Sequence, residues 1–511
     1  YSVVMEKDDC HPATHPFIHE LKLTRAQRIR SLVLGVVLVP LRVLLAAVFF
    51  LLMWLIAPLR TAGLSAEERA RPIKGWRRWF FHPIICQLSR AVFFSLGFLW
   101  VRVKGRRAGL KEAPVLVVAP HSSFLDMLIL CPTQLPTVVS RSENASLPVI
   151  GALLDFNQSV LVSRKDPESR KKAVSQLNER LTSNGYWPQM LMFPEGTTTN
   201  GKVLIKFKPG AFLAGVPVQP VLLHYPNKLD TVRWTYRGTT WTEALWNTTS
   251  QLYTNMTVEF LPVYNPSPEE KEDPSLYADN VQKLMAAALG IPATDFVMEG
   301  RFPVCKLGGL SLPVELESPP RETLSLLYKH GLKEPEVEAA LKEMIDRCQS
   351  RSQESTVSAE ELGSILGVTD GETAATICSL FSKDESVDLR QVCLSVAAIS
   401  GFFSFKSLLH TGFNLFDSEG KGSLNAQTLS GLMGALLGFP QHNISQLYTE
   451  AASEGQVTEE NLLRVLTTHQ TYQRVVNEYL RPEALLDGKT INNNANAVHN
   501  GNGSLHYKKS E

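Results

Sequence analysis

The run APVLVVAPHSSFLD, Ala113 to Asp126, decides how the first half of the chain folds. Its apolar, β-branched opening reads as a strand buried on both faces, and it stops at a proline before a polar stretch holding a histidine and an aspartate. Outward from it, the same signature recurs at VLVSR (Val160 to Arg164), PQMLMFPEG (Pro188 to Gly196) and VPVQPVLL (Val216 to Leu223). A polar helical run, PESRKKAVSQLNERLTSNG (Pro167 to Gly185), separates the second from the third. Strands alternating with helices predict a mixed or parallel sheet, hence an α/β domain, assigned to residues 111–300. In open sheets ligands gather beyond the carboxyl ends of strands, and two of these strands run directly into HSSFLD and FPEGTTTNG.

HSSFLD places His121 at the strand exit and Asp126 five residues on. Were both helical they would stand roughly 140° apart around the axis, so contact requires His121 in the turn and Asp126 in the first helical turn. In that geometry Asp126 holds one imidazole N–H and stabilises the imidazolium, while the other ring nitrogen takes a proton from a hydroxyl. That is general-base chemistry with no protein nucleophile. Ser123-x-x-Asp126 also fits a capping box, which would explain the aspartate by helix initiation alone.

The chain is 511 residues long, enough for two to four folded units. Hydrophobic residues at 44% and charged ones at 20% exclude a disordered polymer or a fibre. A formal charge of +1 removes whole-chain electrostatics as a reason to expect nucleic acid as a partner. Seven scattered cysteines without C-x-x-C spacing offer neither a disulfide framework nor a zinc site, so reduced thiols are expected and no metal ligands are assigned.

After an N-terminal tail (1–30), residues 31–59 read SLVLGVVLVPLRVLLAAVFFLLMWLIAPL with Arg42 as their single charge. About 20 apolar residues cross a bilayer, so the lipid bilayer is an expected partner. Pro40 and Arg42 leave two forms open, one tilted membrane helix or a bent re-entrant hairpin. Residues 60–110 read as a membrane-proximal interfacial region: the basic aromatic GWRRWFFH (Gly75 to His82) precedes an 11-residue apolar run, Ala91 to Val101, read as an interfacial helix or a buried helix of the next domain. The chain ends KKSE. Lys508 and Lys509 fit a dilysine retrieval signal, which predicts an endoplasmic reticulum membrane protein with its C-terminus, and the catalytic domain, in the cytosol.

HSSFLD, SVLVSR (Ser159 to Arg164), FPEGTTTNG (Phe193 to Gly201) and VPVQPV (Val216 to Val221) resemble, in order, the four blocks of the glycerolipid acyltransferase superfamily. The stretch IKFKPGAFLAGVPVQPVLLHYPNKLDTVRW (Ile205 to Trp234) is similar to the lysophosphatidylcholine acyltransferase family, a branch with an N-terminal membrane segment and C-terminal EF-hands. Where that family has EGTCTN this chain has Thr198 for the cysteine, and Leu125 replaces a second aromatic. The resemblance implies transfer of a fatty acyl group from acyl-CoA to the hydroxyl of a lysophospholipid, without a further cofactor. It implies His121 and Asp126 as the catalytic pair, Arg164 on the acceptor phosphate, and Glu195, Gly196, Thr197 and Thr198 shaping the acceptor site with Glu195 paired to a base such as Arg164. Lys206 and Lys208 are placed on CoA phosphates, or on a solvated basic face. Phosphatidic-acid-forming relatives carry an arginine at the position of Thr198, which suits a phosphomonoester; threonine points to lysophosphatidylethanolamine or lysophosphatidylcholine instead. Lysophosphatidic acid as acceptor, and an inactive membrane-tethered EF-hand interaction protein, are the alternatives.

Residues 301–345 are expected to be a linker and 346–480 an all-α, EF-hand-like domain. Val357, Val387, Leu424 and Val457, spaced 30, 37 and 33 apart, suit helix-loop-helix units paired in twos. In DSEGKGSLNAQT (Asp417 to Thr428) Lys421 replaces an oxygen ligand and Thr428 the bidentate glutamate, so calcium binding is not expected. Residues 481–511 read as a disordered tail.

Overall fold

The computed structural model describes residues 15–480 apart from 164–165, 300–301, 315–317, 350–354, 369, 383–385, 418 and 454. Arg164 and the dilysine tail therefore lie outside the described residues. The chain divides into two units at the 301/302 boundary.

The first unit is built on a seven-stranded sheet: β1 (Val101–Lys104), β2 (Val115–Ala119), β3 (Thr137–Arg141), β4 (Val160–Val162), β5 (Met190–Met192), β6 (Val218–His224) and β7 (Met256–Phe260). The spatial order is β1-β7-β6-β2-β5-β3-β4, parallel at every pairing except β6 with β7, so the sheet is mixed. All five residues of β2 are fully buried, which is why its sequence is unbroken Val, Leu and Ala rather than alternating. Leu116 and Val118 face one apolar cluster while Val115, Val117 and Ala119 face another, as the strand's period of two requires. The second face is closed by Ala173, Leu177 and Leu181 of the polar helix Pro167–Leu181 and by Tyr277, Val281 and Met285 of the helix Pro274–Leu289.

The first face is closed by two N-terminal helices. α1 (Arg25–Ile56) is one continuous helix with Pro40 inside it, long and apolar enough to cross a membrane, so the bent hairpin is not the form taken. Small residues let the protein approach it: Ser31, Gly35 and Ala46 are buried, and a side chain at Gly35 would strike the Trp246 ring at 2.6 Å. Ser31 shares a 2.8 Å hydroxyl hydrogen bond with Ser250. Arg42, the lone charge, donates to the carbonyls of Thr249, Gln251 and Leu252 at 2.6–2.8 Å, where the helix Trp241–Thr249 ends and a cation suits its dipole. α2 (Gly75–Ser95) packs through Phe81, Ile85 and Val92 into the cluster that holds Ala46 and Met53 of α1 and Ala57 just beyond it. The apolar run read as a separate helix at Ala91–Val101 is thus the end of α2 and the entry to β1; hydropathy alone cannot mark the turn at Gly97, whose φ is +104°.

The second unit, from Phe302, begins inside the stretch expected to be a linker. That stretch is folded: a hairpin, Phe302–Leu307 with Leu310–Pro313, and the helices Pro319–Lys329 and Glu334–Gln349 bury Leu310, Leu312, Leu327, Val337 and Leu341 in the unit's core. Pro319 and Pro320 open the first of these helices, where proline is tolerated, and Pro320 is buried. Val357 pairs with Val387, and Leu424 with Val457, in antiparallel bridges, the two-by-two pairing that the spacing predicts. Each bridge residue is followed by a helix cap whose side chain accepts a backbone N–H: Ser358, Asp388, Asn425 and Thr458. In the loop after Phe416, Asp417 accepts from the N–H groups of Lys421 and Gly422, and the Lys421 ammonium pairs with Glu419. Cys86, Cys131, Cys348, Cys378 and Cys393 are free thiols, whereas Cys305 is disulfide-bonded, against the expectation of reduced thiols throughout.

Candidate active site

β2 delivers His121 at its carboxyl end, and a 3-10 helix, Phe124–Leu130, begins three residues later with Ser123 as its cap. Asp126 falls in the first turn of that helix, where one carboxylate oxygen, Oδ2, accepts from the N–H of Ser122 at 2.6 Å, from the N–H of Ser123 at 2.9 Å and faces Nδ1 of His121 at 2.8 Å. The capping box and the His–Asp contact are therefore the same structure: the backbone amides that begin the helix also fix the carboxylate that grips the imidazole. Asp126 is completely buried, and Tyr225 donates its phenol to Oδ1 in a short hydrogen bond. Burial, then the charge of Asp126, push the Tyr225 hydroxyl well above its ordinary pKa, so it stays a donor.

An ionised Asp126 selects the tautomer with hydrogen on Nδ1, leaving Nε2 as an acceptor with no partner among the described residues. The His121 side chain is 17% exposed, and Phe193 stacks on its ring at 4.2 Å between centroids and 29° between planes. The peptide groups of His121 are held from both sides by the loop after β5: its N–H donates to Glu195 Oε2 and its C=O accepts from Thr199 N at 2.7 Å.

Glu195 is fully buried, and its Oε1 has no hydrogen-bond partner among the described residues; Arg164, the base expected beside it, lies outside them. Burial pushes its pKa up to about 8, against the backbone N–H groups of His121 and Ile205 that favour the anion, so the carboxyl is mostly neutral near pH 7. Its role in the geometry is to brace His121. Gly196 has φ +66°, the left-handed region, and a Cβ there would lie 3.1 Å from the Lys208 side chain. Lys208 therefore sits at this loop. Lys206 does not belong with it: its ammonium is bound by Asp279 at 2.9 and 3.1 Å and by Asp295 at 3.5 Å, a structural ion-pair cluster rather than a free cation for CoA. Thr197 and Thr198 are half-buried, with hydroxyls that meet no hydrogen-bond partner among the described residues.

Two groups escaped the reading of the sequence. Tyr225 acts on Asp126 from 99 residues away, and Arg233 donates from Nη1 to Ser122 Oγ across 111, while its Nε is held at 3.0 Å by Asp230. Neither carries a local spacing signal; only the sheet's β2-β6 pairing brings their loop to HSSFLD.

A family model described as "Acyltransferase" matches residues 100–224. Lysophospholipid acyltransferase LPCAT4 of Xenopus tropicalis is 45% identical over 92% of this chain and 90% of its own length. Lysophosphatidylcholine acyltransferase 2 of Homo sapiens is 40% identical over 92% of this chain and 86% of its own. Among solved structures, the 1-acyl-sn-glycerophosphate (LPA) acyltransferase PlsC from Thermotoga maritima is similar over 52% of this chain and 98% of that one, at 18% identity and a TM-score of 0.36.

Proposed function

The chain belongs to the lysophosphatidylcholine acyltransferase family, and on that premise we propose that it moves a fatty acyl group from acyl-CoA to the free hydroxyl of lysophosphatidylethanolamine or lysophosphatidylcholine, with His121 as general base. The observation that carries this reading is the 2.8 Å contact of His121 Nδ1 with a buried, backbone-anchored Asp126, which leaves Nε2 open at the strand exit. Nε2 takes the glycerol hydroxyl's proton as its oxygen attacks the thioester carbonyl, and the imidazolium is stabilised by Asp126. Collapse of the tetrahedral intermediate expels the CoA thiolate, which collects the proton from Nε2; with a thiol pKa of about 8.5 it needs no stronger acid. The reaction draws on no resident cofactor.

The acceptor site is read as the loop Glu195–Thr199 with Lys208 and Arg233 at its edges; Arg164, expected on the acceptor phosphate, lies outside the described residues. Neutral Thr197 and Thr198 support a zwitterionic headgroup over a phosphomonoester, because the charge an arginine would bring at Thr198 is missing. The second unit is read as paired EF-hand-like modules kept as scaffold, with the Lys421 ammonium standing where a metal ion would need an oxygen ligand.

We also infer that α1 lies within one leaflet. Its protein-facing stripe, Ser31 to Met53, runs about 33 Å along the catalytic unit, longer than the roughly 30 Å hydrocarbon core, so an upright helix would carry polar protein through the bilayer.

The deciding experiment is acyl transfer by purified protein from labelled oleoyl-CoA to lysophosphatidylethanolamine, lysophosphatidylcholine and lysophosphatidic acid in parallel, wild type against His121→Ala. Transfer to the zwitterionic acceptors that disappears in the variant is expected. Preference for lysophosphatidic acid would remove the Thr198 argument and spare the mechanism; activity surviving in the variant would remove the base.

A further inference from the structure

At the amino ends of the strands whose carboxyl ends carry the dyad lies a cavity of about 360 Å³. Arg78 of α2, Arg107, Gln134, Leu135, Pro136 and Gln189 line it, at the points where the chain enters β2, β3 and β5. Five residues of strand, roughly 16 Å, separate it from His121, so it is no part of the reacting centre.

Its polar lining is cationic and uncompensated. Arg78 is half-buried and makes no hydrogen bond or ion pair with any described residue. Arg107 donates from Nε at 3.1 Å and Nη2 at 2.7 Å to the amide oxygen of Gln189, a neutral partner. Behind them His82 hydrogen-bonds the Gln134 carbonyl through Nε2 at 2.8 Å, with Nδ1 buried and unpartnered. Burial, then the charges of Arg78 and Arg60, hold His82 down to about 4, and burial together with Arg78 lowers Arg107. No carboxylate lines the cavity. A cluster that suppresses its own charge in this way is relieved by an anion.

Two further observations point the same way. Gln134 and Leu135, consecutive non-glycine residues in the cavity wall, have φ of +56° and +50°, a sparsely populated conformation that collects at ligand sites. The start of α2 also exposes Trp76 (65%), Trp79 (77%) and Phe80 (50%), aromatic side chains suited to headgroup depth.

We propose that this cavity is a second, non-catalytic binding site that takes a phosphate group, presented by the headgroup of an anionic phospholipid in the leaflet that holds α1 and α2. A phosphate oxygen accepts from Arg78, which has no other partner among the described residues, and from the guanidinium N–H groups that Arg107 does not spend on Gln189. The site lies on the reading of α1 as a one-leaflet helix, but its occupancy by free phosphate would not need that reading.

The test uses the full-length protein in two arms. In the first, flotation measures affinity for vesicles of equimolar phosphatidylcholine and phosphatidylglycerol against phosphatidylcholine alone, for wild type, Arg78→Gln and the surface control Arg71→Gln. One generic basic residue near an anionic surface is worth about 1 kcal/mol, roughly fivefold. Arg78→Gln is expected to lose at least about 20-fold, because a fixed phosphate contact goes with it, while acyl transfer in phosphatidylcholine vesicles stays at the wild-type rate. In the second arm, the thermal midpoint in detergent is compared in inorganic phosphate and chloride at matched ionic strength. Protection of wild type, lost in Arg78→Gln, supports the site independently of any lipid. Protection by phosphate without a difference between the two variants on vesicles assigns the site to the free ion. Equal losses in the two variants with no protection overturn the proposal.

Discussion

Two aspartates, one in each unit, are held in the same way and do different things. Asp126 accepts from the N–H groups of Ser122 and Ser123, and Asp417 from those of Lys421 and Gly422. Both organise a turn. Asp126 is wholly buried and reaches an imidazole and a phenol besides, whereas Asp417 is only half-buried and its neighbour Lys421 is taken up by Glu419. Gripping its own backbone makes a carboxylate structural; what makes it chemical is a titrating partner held in the same dry site.

That contrast is broken most directly at the aspartates themselves. Asp126→Asn is expected to lower kcat by roughly 10²–10⁴, the usual worth of an oriented general base, while Asp417→Asn leaves kcat unchanged. Equal effects in an acyl-transfer assay would reduce both residues to folding roles. Tyr225→Phe comes next. Loss of a hydrogen bond to a charged group, about 1.5–3 kcal/mol, predicts a roughly 10- to 100-fold fall in kcat. A kcat equal to that of wild type would mean that Tyr225 only packs against the dyad.

The third prediction concerns stability. Glu195 rises from 4.5 to about 8 on folding, so the stability given by its neutral form is complete below pH 4.5 and lost as pH climbs through 8. Glu195→Gln, neutral at every pH, is expected to gain on wild type by about 1.4 kcal/mol per pH unit across that window, read by denaturant titration. A pH-independent difference would show an ionised Glu195 in the folded state. The smallest effect is expected at Lys421→Ala, an exposed pair: midpoint and transfer rate should match wild type with or without calcium. A calcium-dependent rise in the midpoint of the variant would show that the lysine had been excluding the ion.

The sequence made legible what depends on neighbours in the chain. The all-buried β2, the His121–Asp126 geometry and the Val357/Val387 and Leu424/Val457 pairings all follow from periods and fixed offsets. What it hid depends on contacts made across the sheet. Lys206 looked free until Asp279 and Asp295, 73 and 89 residues on, came to meet it. Glu195 looked like half of an ion pair because a buried carboxylate usually needs a base; burial raises its pKa to about 8, and the base expected beside it, Arg164, lies outside the described residues. The strands β1, β3 and β7, each longer than β4 and β5, lie outside the four blocks on which the reading was built.

The loop after β5 clamps both peptide groups of His121, through Glu195 and Thr199. Gly196 is fixed by its backbone conformation, so Thr197 and Thr198 are the positions between the clamps that carry side chains free of duties to the base. Acceptor preference can drift through that two-residue window without loosening the imidazole. Relatives that diverge in headgroup choice should therefore differ there in KM, whereas changes one step outside the window, at Glu195 or Thr199, should register first in kcat.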